Sequence, residues 1–337
     1  MAKLKLGFVS AFNERVDPLM NGTIEAEGIE IVPTYSHPSE TFWRQLRFQE
    51  FEVGEMSMSS YLIARERGFD MIALPVFPSR RLFHTELSYH VDCGVKEPGD
   101  LVGKRIGVGE YQQTAALWQR GILEHDFGVS QYKVHWYMER TEELSHGGAT
   151  GFTPPPGISF QRIPPDKSMA SMLVNHELDA AAINSPWKNM PNVIGRSHRI
   201  PGEGGDWSKV KLLFPNRMSE GSRFFEKWGF LPVNHAYTIR GDIYKRYPWV
   251  AFNLYTAFVK AKEHFNRKLV DSIPTALFFG REYLMMTQEI FGNDPFPYGV
   301  KANRKMLETL IDFSREQGLI TKKPALEDLF AASTLDL

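Results

Sequence analysis

Residues 104–128 read KRIGVGEYQQTAALWQRGILEHDFG, and their pattern decides the fold. Lys104–Val108 is a short apolar run bounded by glycine, which predicts a buried strand. Gln113–His125 then sets Ala116, Leu117, Arg120 and Leu123 at helical spacing along one face. A strand feeding directly into a helix is the repeating unit of α/β proteins. In that arrangement the strand's carboxyl end and the helix N-terminus meet at the edge where ligands bind.

The alternation continues in both directions. Upstream, strands are predicted at Lys5–Ser10, Ile29–Thr34, Phe51–Met56, Met71–Val76 and Leu87–Asp92. Helices are predicted over Ser39–Phe51 and Tyr61–Arg67, the second stopped by Gly68. Downstream, strands are predicted at Val134–Met138, Ile158–Ile163, Leu178–Asn184 and Asn234–Arg240, with a long loop that includes 146–157. Helices follow over Ser168–His176, after Pro248, near Pro274–Ile290 and over Arg304–Gln317. The helix after Pro248 carries an apolar stripe of Val250, Leu254, Ala257, Phe258, Ala261 and Phe265. No tandem repeat is present. The pattern predicts an α/β chain with mostly parallel sheets. The strand ends to inspect are Ser10–Asn13, Ser57–Ser60, Phe77–Arg81, Glu110–Thr114 and Asn184–Pro186.

With 337 residues the chain has the length of two domains. Its 39 Lys+Arg against 40 Asp+Glu leave a net charge of −1, too little field to draw it to nucleic acid or anionic membrane. The lone Cys93 excludes an intramolecular disulfide and cysteine-rich metal sites. Met1–Ser10 reads at once as a strand with no apolar signal region, and no apolar run reaches 18 residues; a soluble, cytoplasmic protein is expected. Gly107-Val108-Gly109 sits where a dinucleotide fingerprint would, but Gln112 replaces its third glycine. His176-Glu177 lacks the second histidine of a zincin helix, and no G-x-S-x-G elbow exists.

Several stretches, in one order over almost the whole chain, resemble 4,5-dihydroxyphthalate decarboxylases. They are Phe51–Tyr61 (FEVGEMSMSSY), Phe77–His84 (FPSRRLFH), Asp100–Gly128, Phe230–Arg240 (FLPVNHAYTIR), Pro248–Ala257 and Pro297–Arg304 (PYGVKANR). The resemblance implies a two-lobed fold like type 2 periplasmic binding proteins, each lobe a mostly parallel sheet flanked by helices, joined by two crossover segments. Lobe one would hold 1–91 and 238–337 and lobe two 92–237, with the ligand cleft between them. It also implies non-oxidative loss of CO₂ from a dihydroxyaromatic diacid, without an organic cofactor. The sequence departs from the family pattern at Phe83, where an Arg is usual, at Thr85, where a Ser is usual, and after Asn184. No Gly-Gly directly follows Val134–Met138.

Such chemistry needs a proton donor for the ring carbon, groups that grip carboxylates, and a group favouring the phenolate. His84 is the first candidate acid and His235 the second; Glu110 is a candidate base. Arg80 can fork onto a carboxylate. Gln113 and Thr114 offer helix N-terminal N–H groups to an anion, while Ser59, Ser79, Tyr111 and Asn184 stand at strand ends as further substrate contacts. If 84–90 were a strand, His84, Glu86, Ser88 and His90 would share one face and could hold a divalent metal; a solvated face is the plainer reading, and no metal is assigned. The expected partner is a small aromatic carboxylate, with no nucleic acid and no membrane; a homo-oligomer is left open. The alternatives are a solute-binding protein that captures a carboxylate without catalysis, and a pyrimidine-precursor biosynthesis protein of the same fold.

Overall fold

The computed structural model describes residues 2–143, 145–183 and 205–337. In chain order the strands are β1 (Leu4–Ser10), β2 (Ile29–Tyr35), β3 (Val53–Ser57), β4 (Met71–Leu74), β5 (Ser88–His90), β6 (Arg105–Val108), β7 (His135–Met138), β8 (Ser159–Arg162), β9 (Ala180–Ala181), β10 (Val210–Leu212) and β11 (His235–Arg240). They form two sheets, one in the order β2-β1-β3-β11-β4 and one in the order β10-β5-β9-β6-β7-β8. Each sheet contains one antiparallel strand: β11 runs against β3 and β4, and β5 runs against β10 and β9.

Two compact units carry these sheets. The first comprises Met1–Arg81, Phe224–Ile311 and Lys323–Leu337, the second Leu82–Arg223 and Asp312–Lys322. This division differs from boundaries at 91 and 238 for local physical reasons. Residues Phe83–Glu86 form a 3₁₀ turn rather than a strand, and Gln119 Nε2 donates to the Phe83 carbonyl at 2.9 Å, tying the turn to the helix Thr114–Phe127. The late segment is recruited by a glycine: a Cβ at Gly121 would lie 2.1 Å from the Phe313 ring, so only glycine admits that approach. Gln317 then accepts from Arg120 Nε at 2.8 Å and donates to the Leu117 carbonyl at 3.0 Å.

The first unit's core lies on one sheet face. Leu6, Phe8, Val53, Ile72, Leu74, Tyr237 and Ile239 meet Val250, Leu254, Ala257, Phe258 and Ala261 of the helix Trp249–Arg267, the stripe read from the sequence except for Phe265, which is only partly buried. Phe8, Tyr237 and Phe258 form a mutually packed aromatic triad. The second unit has a separate cluster of Met169, Leu173, Leu178, Ala181 and Val210. Among the described residues no helix is long and apolar enough to cross a membrane.

Candidate active site

In the first unit, the apolar sheet face turns polar at the carboxyl ends of β1 and β3. The register sets Tyr237 opposite Glu55 and His235 opposite Ser57. Strand alternation therefore brings Glu55 and His235 to neighbouring positions on one face. His235 Nδ1 lies 2.6 Å from Glu55 Oε1, and Glu55 Oε2 accepts from the Ala11 backbone N–H at 3.1 Å. Glu55 is 4% exposed and His235 8%. Phe42 meets the His235 ring edge to face at 4.7 Å and holds its plane. An ionised carboxylate can only accept, so Nδ1 carries the proton in this contact and donates it in a hydrogen bond to Glu55. Nε2 makes no hydrogen bond to any described residue. Below the pair, Tyr237 Oη and Ser10 Oγ are 2.7 Å apart, and burial holds the Tyr237 phenol far above its ordinary pKa, so it stays protonated.

The other sequence candidates in this unit have different surroundings. Arg80 is buried and its fork is spent inside the unit: Nη1 donates to the Leu231 carbonyl at 2.9 Å, and Nη2 to the Pro297 carbonyl at 2.8 Å and Asn303 Oδ1 at 2.5 Å. Burial pushes its pKa down to about 10. Those bonds make Arg80 a clamp that ties its own segment to Leu231 and to the stretch Pro297–Asn303. Ser79 is half-buried and its carbonyl accepts from Asn234 N–H at 2.9 Å, fixing the residue before His235. Ser59 is fully buried in the first turn of the helix Met58–Glu66, with Oγ 3.4 Å from Ser57 Oγ.

His84 belongs to the second unit. It is fully buried, with Nε2 2.6 Å from Glu220 Oε1 and its ring against Phe214. Glu220 is held in turn by Arg223, which also pairs with Asp126. Desolvation lowers the His84 pKa against the pull of Glu220. The ring has no exposed surface, and a strand face shared with Glu86, Ser88 and His90 does not form, because 83–86 is a 3₁₀ turn.

Glu110 is fully buried at the end of β6. It accepts from Arg140 Nη1, Gln112 Nε2, Ser145 Oγ at 2.8 Å, and the backbone N–H groups of His146 at 3.3 Å and Gly147 at 3.4 Å. Burial alone would raise its pKa, but His146, Arg140 and these hydrogen bonds hold it down to about 2. So saturated a carboxylate works as a fixed counter-ion rather than a base. Tyr111 is buried too, its hydroxyl donating to Gln131 Oε1 at 2.6 Å and its ring 3.7 Å beneath the Arg120 guanidinium. Gln113 caps the helix Thr114–Phe127, its Oε1 accepting from Glu110 N–H at 3.0 Å, and Thr114 is the helix's first residue. Asn184 lies outside the described residues.

The structure thus gathers His235 with Glu55 in one unit, and Glu110, Gln113 and Thr114 in the other. The residues around Glu110 that sequence reading passed over are Arg140, Ser145 and His146, all in a segment read as loop. Ser145 followed by His146-Gly147-Gly148 is an N-cap signal, and Ser145 Oγ does accept from Gly148 N–H.

Two helix-flanked sheets, each with one strand reversed, are the frame of the periplasmic-binding-protein-like proteins. The periplasmic aliphatic sulphonate binding protein of Escherichia coli superposes with a TM-score of 0.53 at 13% identity, over 98% of this chain and 92% of that one. A Candida albicans protein described as having the generic periplasmic binding protein fold gives 0.52 at 11% identity, over 96% and 92%. No family model matches the chain. Curated relatives are more specific. A Pseudomonas putida protein named 4,5-dihydroxyphthalate decarboxylase is 35% identical over 181 residues, 53% of this chain and 70% of the relative. A Comamonas testosteroni protein of the same name is 28% identical over 339 residues, all of this chain and 99% of the relative. The chain belongs to the 4,5-dihydroxyphthalate decarboxylase family, a family of carboxy-lyases.

Proposed function

We propose that the chain removes CO₂ from a hydroxylated aromatic carboxylic acid resembling 4,5-dihydroxyphthalate, with His235 as the proton donor. The observation that carries this reading is the His235–Glu55 pair, with Nδ1 held by a buried carboxylate and Nε2 left available at a strand end. Protonated His235 delivers its Nε2 proton to the ring carbon bearing the carboxylate, with electron push from the para hydroxyl. The C–C bond then breaks, its electron pair restores the aromatic ring, and CO₂ leaves. Glu55 stabilises the imidazolium before transfer and fixes the ring's orientation, and the Ala11 N–H keeps the carboxylate in place. The names of both curated relatives support the reaction type.

The test is incubation with a panel of hydroxylated benzoates and phthalates, measuring CO₂ release beside ligand-induced melting shifts. Release of CO₂ that His235→Gln abolishes supports the proposal. Melting shifts with no CO₂ from any member would assign the chain to carboxylate capture instead.

A further inference from the structure

The connector after the helix Trp249–Arg267 and the helix Gly280–Phe291 carry an apolar surface that the proposed reaction does not use. Phe278 is 89% exposed, and Val270, Leu277, Phe279, Tyr283, Met285 and Met286 are exposed around it. The helix Gly280–Phe291 buries no residue except Gly280. A 12-residue helix is marginal in water without tertiary packing on one face. Monomeric proteins rarely leave contiguous apolar patches beyond a few hundred Å² open to solvent.

We infer that this surface is the interface between two copies of the chain. Three observations select a second copy. First, recess and projection lie side by side: a groove of about 370 Å³ is lined by Val270, Ile273, Pro274 and Leu277, and Phe278 stands at its rim. A two-fold axis puts each Phe278 into the other copy's groove, the self-complementarity an isologous interface requires. Second, the charges match themselves. Arg281 on the groove wall has no ion-pair partner among the described residues, and neither do Asp271 and Glu282 on the same wall. A two-fold brings Arg281 of each copy towards acids of the other. Third, the area suffices. Aromatic side chains offer roughly 150–250 Å² each, so three of them with four aliphatic chains approach the roughly 800 Å² one partner gives to a standard interface.

The test is sedimentation velocity of the full chain from about 0.5 to 50 μM, for native protein and for Phe278→Asp and Met285→Asp, with circular dichroism confirming the fold of each. The native chain is expected to sediment as a dimer or a multiple of one. Either variant is expected to raise the dissociation constant at least thirtyfold, as burying an unpaired carboxylate at the centre of an interface does. Arg281→Glu should weaken association, and adding Asp271→Arg and Glu282→Arg should restore it. A native monomer at 50 μM overturns the inference, including one that binds another protein or a lipid vesicle. So does a native oligomer that both apolar-to-Asp variants leave intact.

Discussion

Replacing Glu55 by glutamine tests the acid–base assignment with almost no change in shape. The carboxylate faces two groups, His235 Nδ1 at 2.6 Å and the Ala11 N–H at 3.1 Å. A glutamine has one accepting atom and one donating group, so it cannot reproduce both contacts. If its oxygen faces His235, its NH₂ opposes the Ala11 N–H. If its oxygen faces Ala11, its NH₂ donates to Nδ1, the proton moves to Nε2, and the imidazolium loses its counter-charge. Either way a hydrogen bond to a charged group is lost, about 1.5–3 kcal/mol. At about 1.4 kcal/mol per decade, kcat should fall roughly 10- to 150-fold. KM should change less than about threefold, because the loss is felt where the proton moves and not where substrate binds. His235→Gln should cost more, about 10²–10⁴ in turnover. The assay is steady-state CO₂ release from the panel member that the native chain decarboxylates fastest, with circular dichroism as the control for folding. Native kcat in a folded Glu55→Gln or His235→Gln protein would refute the reasoning.

Three further outcomes follow from the buried groups. His84→Leu removes the donor to Glu220 in a fully buried position and should destabilise by about 2–4 kcal/mol, read by denaturant unfolding, while the folded fraction keeps kcat within a few-fold. A hundredfold drop in kcat there would return His84 to the reaction. Arg80→Lys cannot span the Leu231, Pro297 and Asn303 acceptors and should lower the melting temperature by several degrees; an unchanged value would show the clamp to be idle. Glu110 has its pKa depressed from 4.5 to about 2, so its stabilisation, on the order of 3 kcal/mol, is complete above about pH 4.5 and lost as pH falls towards 2. Glu110→Gln should flatten the acid limb of an unfolding-versus-pH curve, and an unaltered limb would count against it.

The frame was legible because period and burial agree. The run at 104–108 and the stripe from Val250 to Ala261 are buried where their spacing puts them. The helix Arg217–Trp228 and strand β10 went unread, although Pro215-Asn216 before the helix and Gly229 after it are boundary signals, and Asn216 Oδ1 does accept from Ser219 N–H at 3.0 Å. At the site, residue type proved a weaker guide than surroundings. The sequence ranks His84 ahead of His235 as the acid, yet both have a carboxylate partner far away in sequence. What separates them is which ring nitrogen stays available, and that depends on contacts 136 and 180 residues distant. Arg80 looked like an anion fork, yet its acceptors are two carbonyls and an amide from two later segments, at Leu231 and Pro297–Asn303, which no local pattern announces. Glu110 sits at a strand end as expected, but its five donors come chiefly from a segment without strand or helix periodicity.

The position of β11 has a consequence for biosynthesis. It lies between β3 and β4, whose residues leave the ribosome some 180 positions earlier. At roughly 5–20 residues per second that is on the order of ten to forty seconds in which β3 and β4 each present an unpaired edge. Arg120 waits similarly for Gln317, 197 residues on. Neither unit completes itself while the chain is still being made, so nascent fragments ending before His235 carry open strand edges and are natural clients for chaperones.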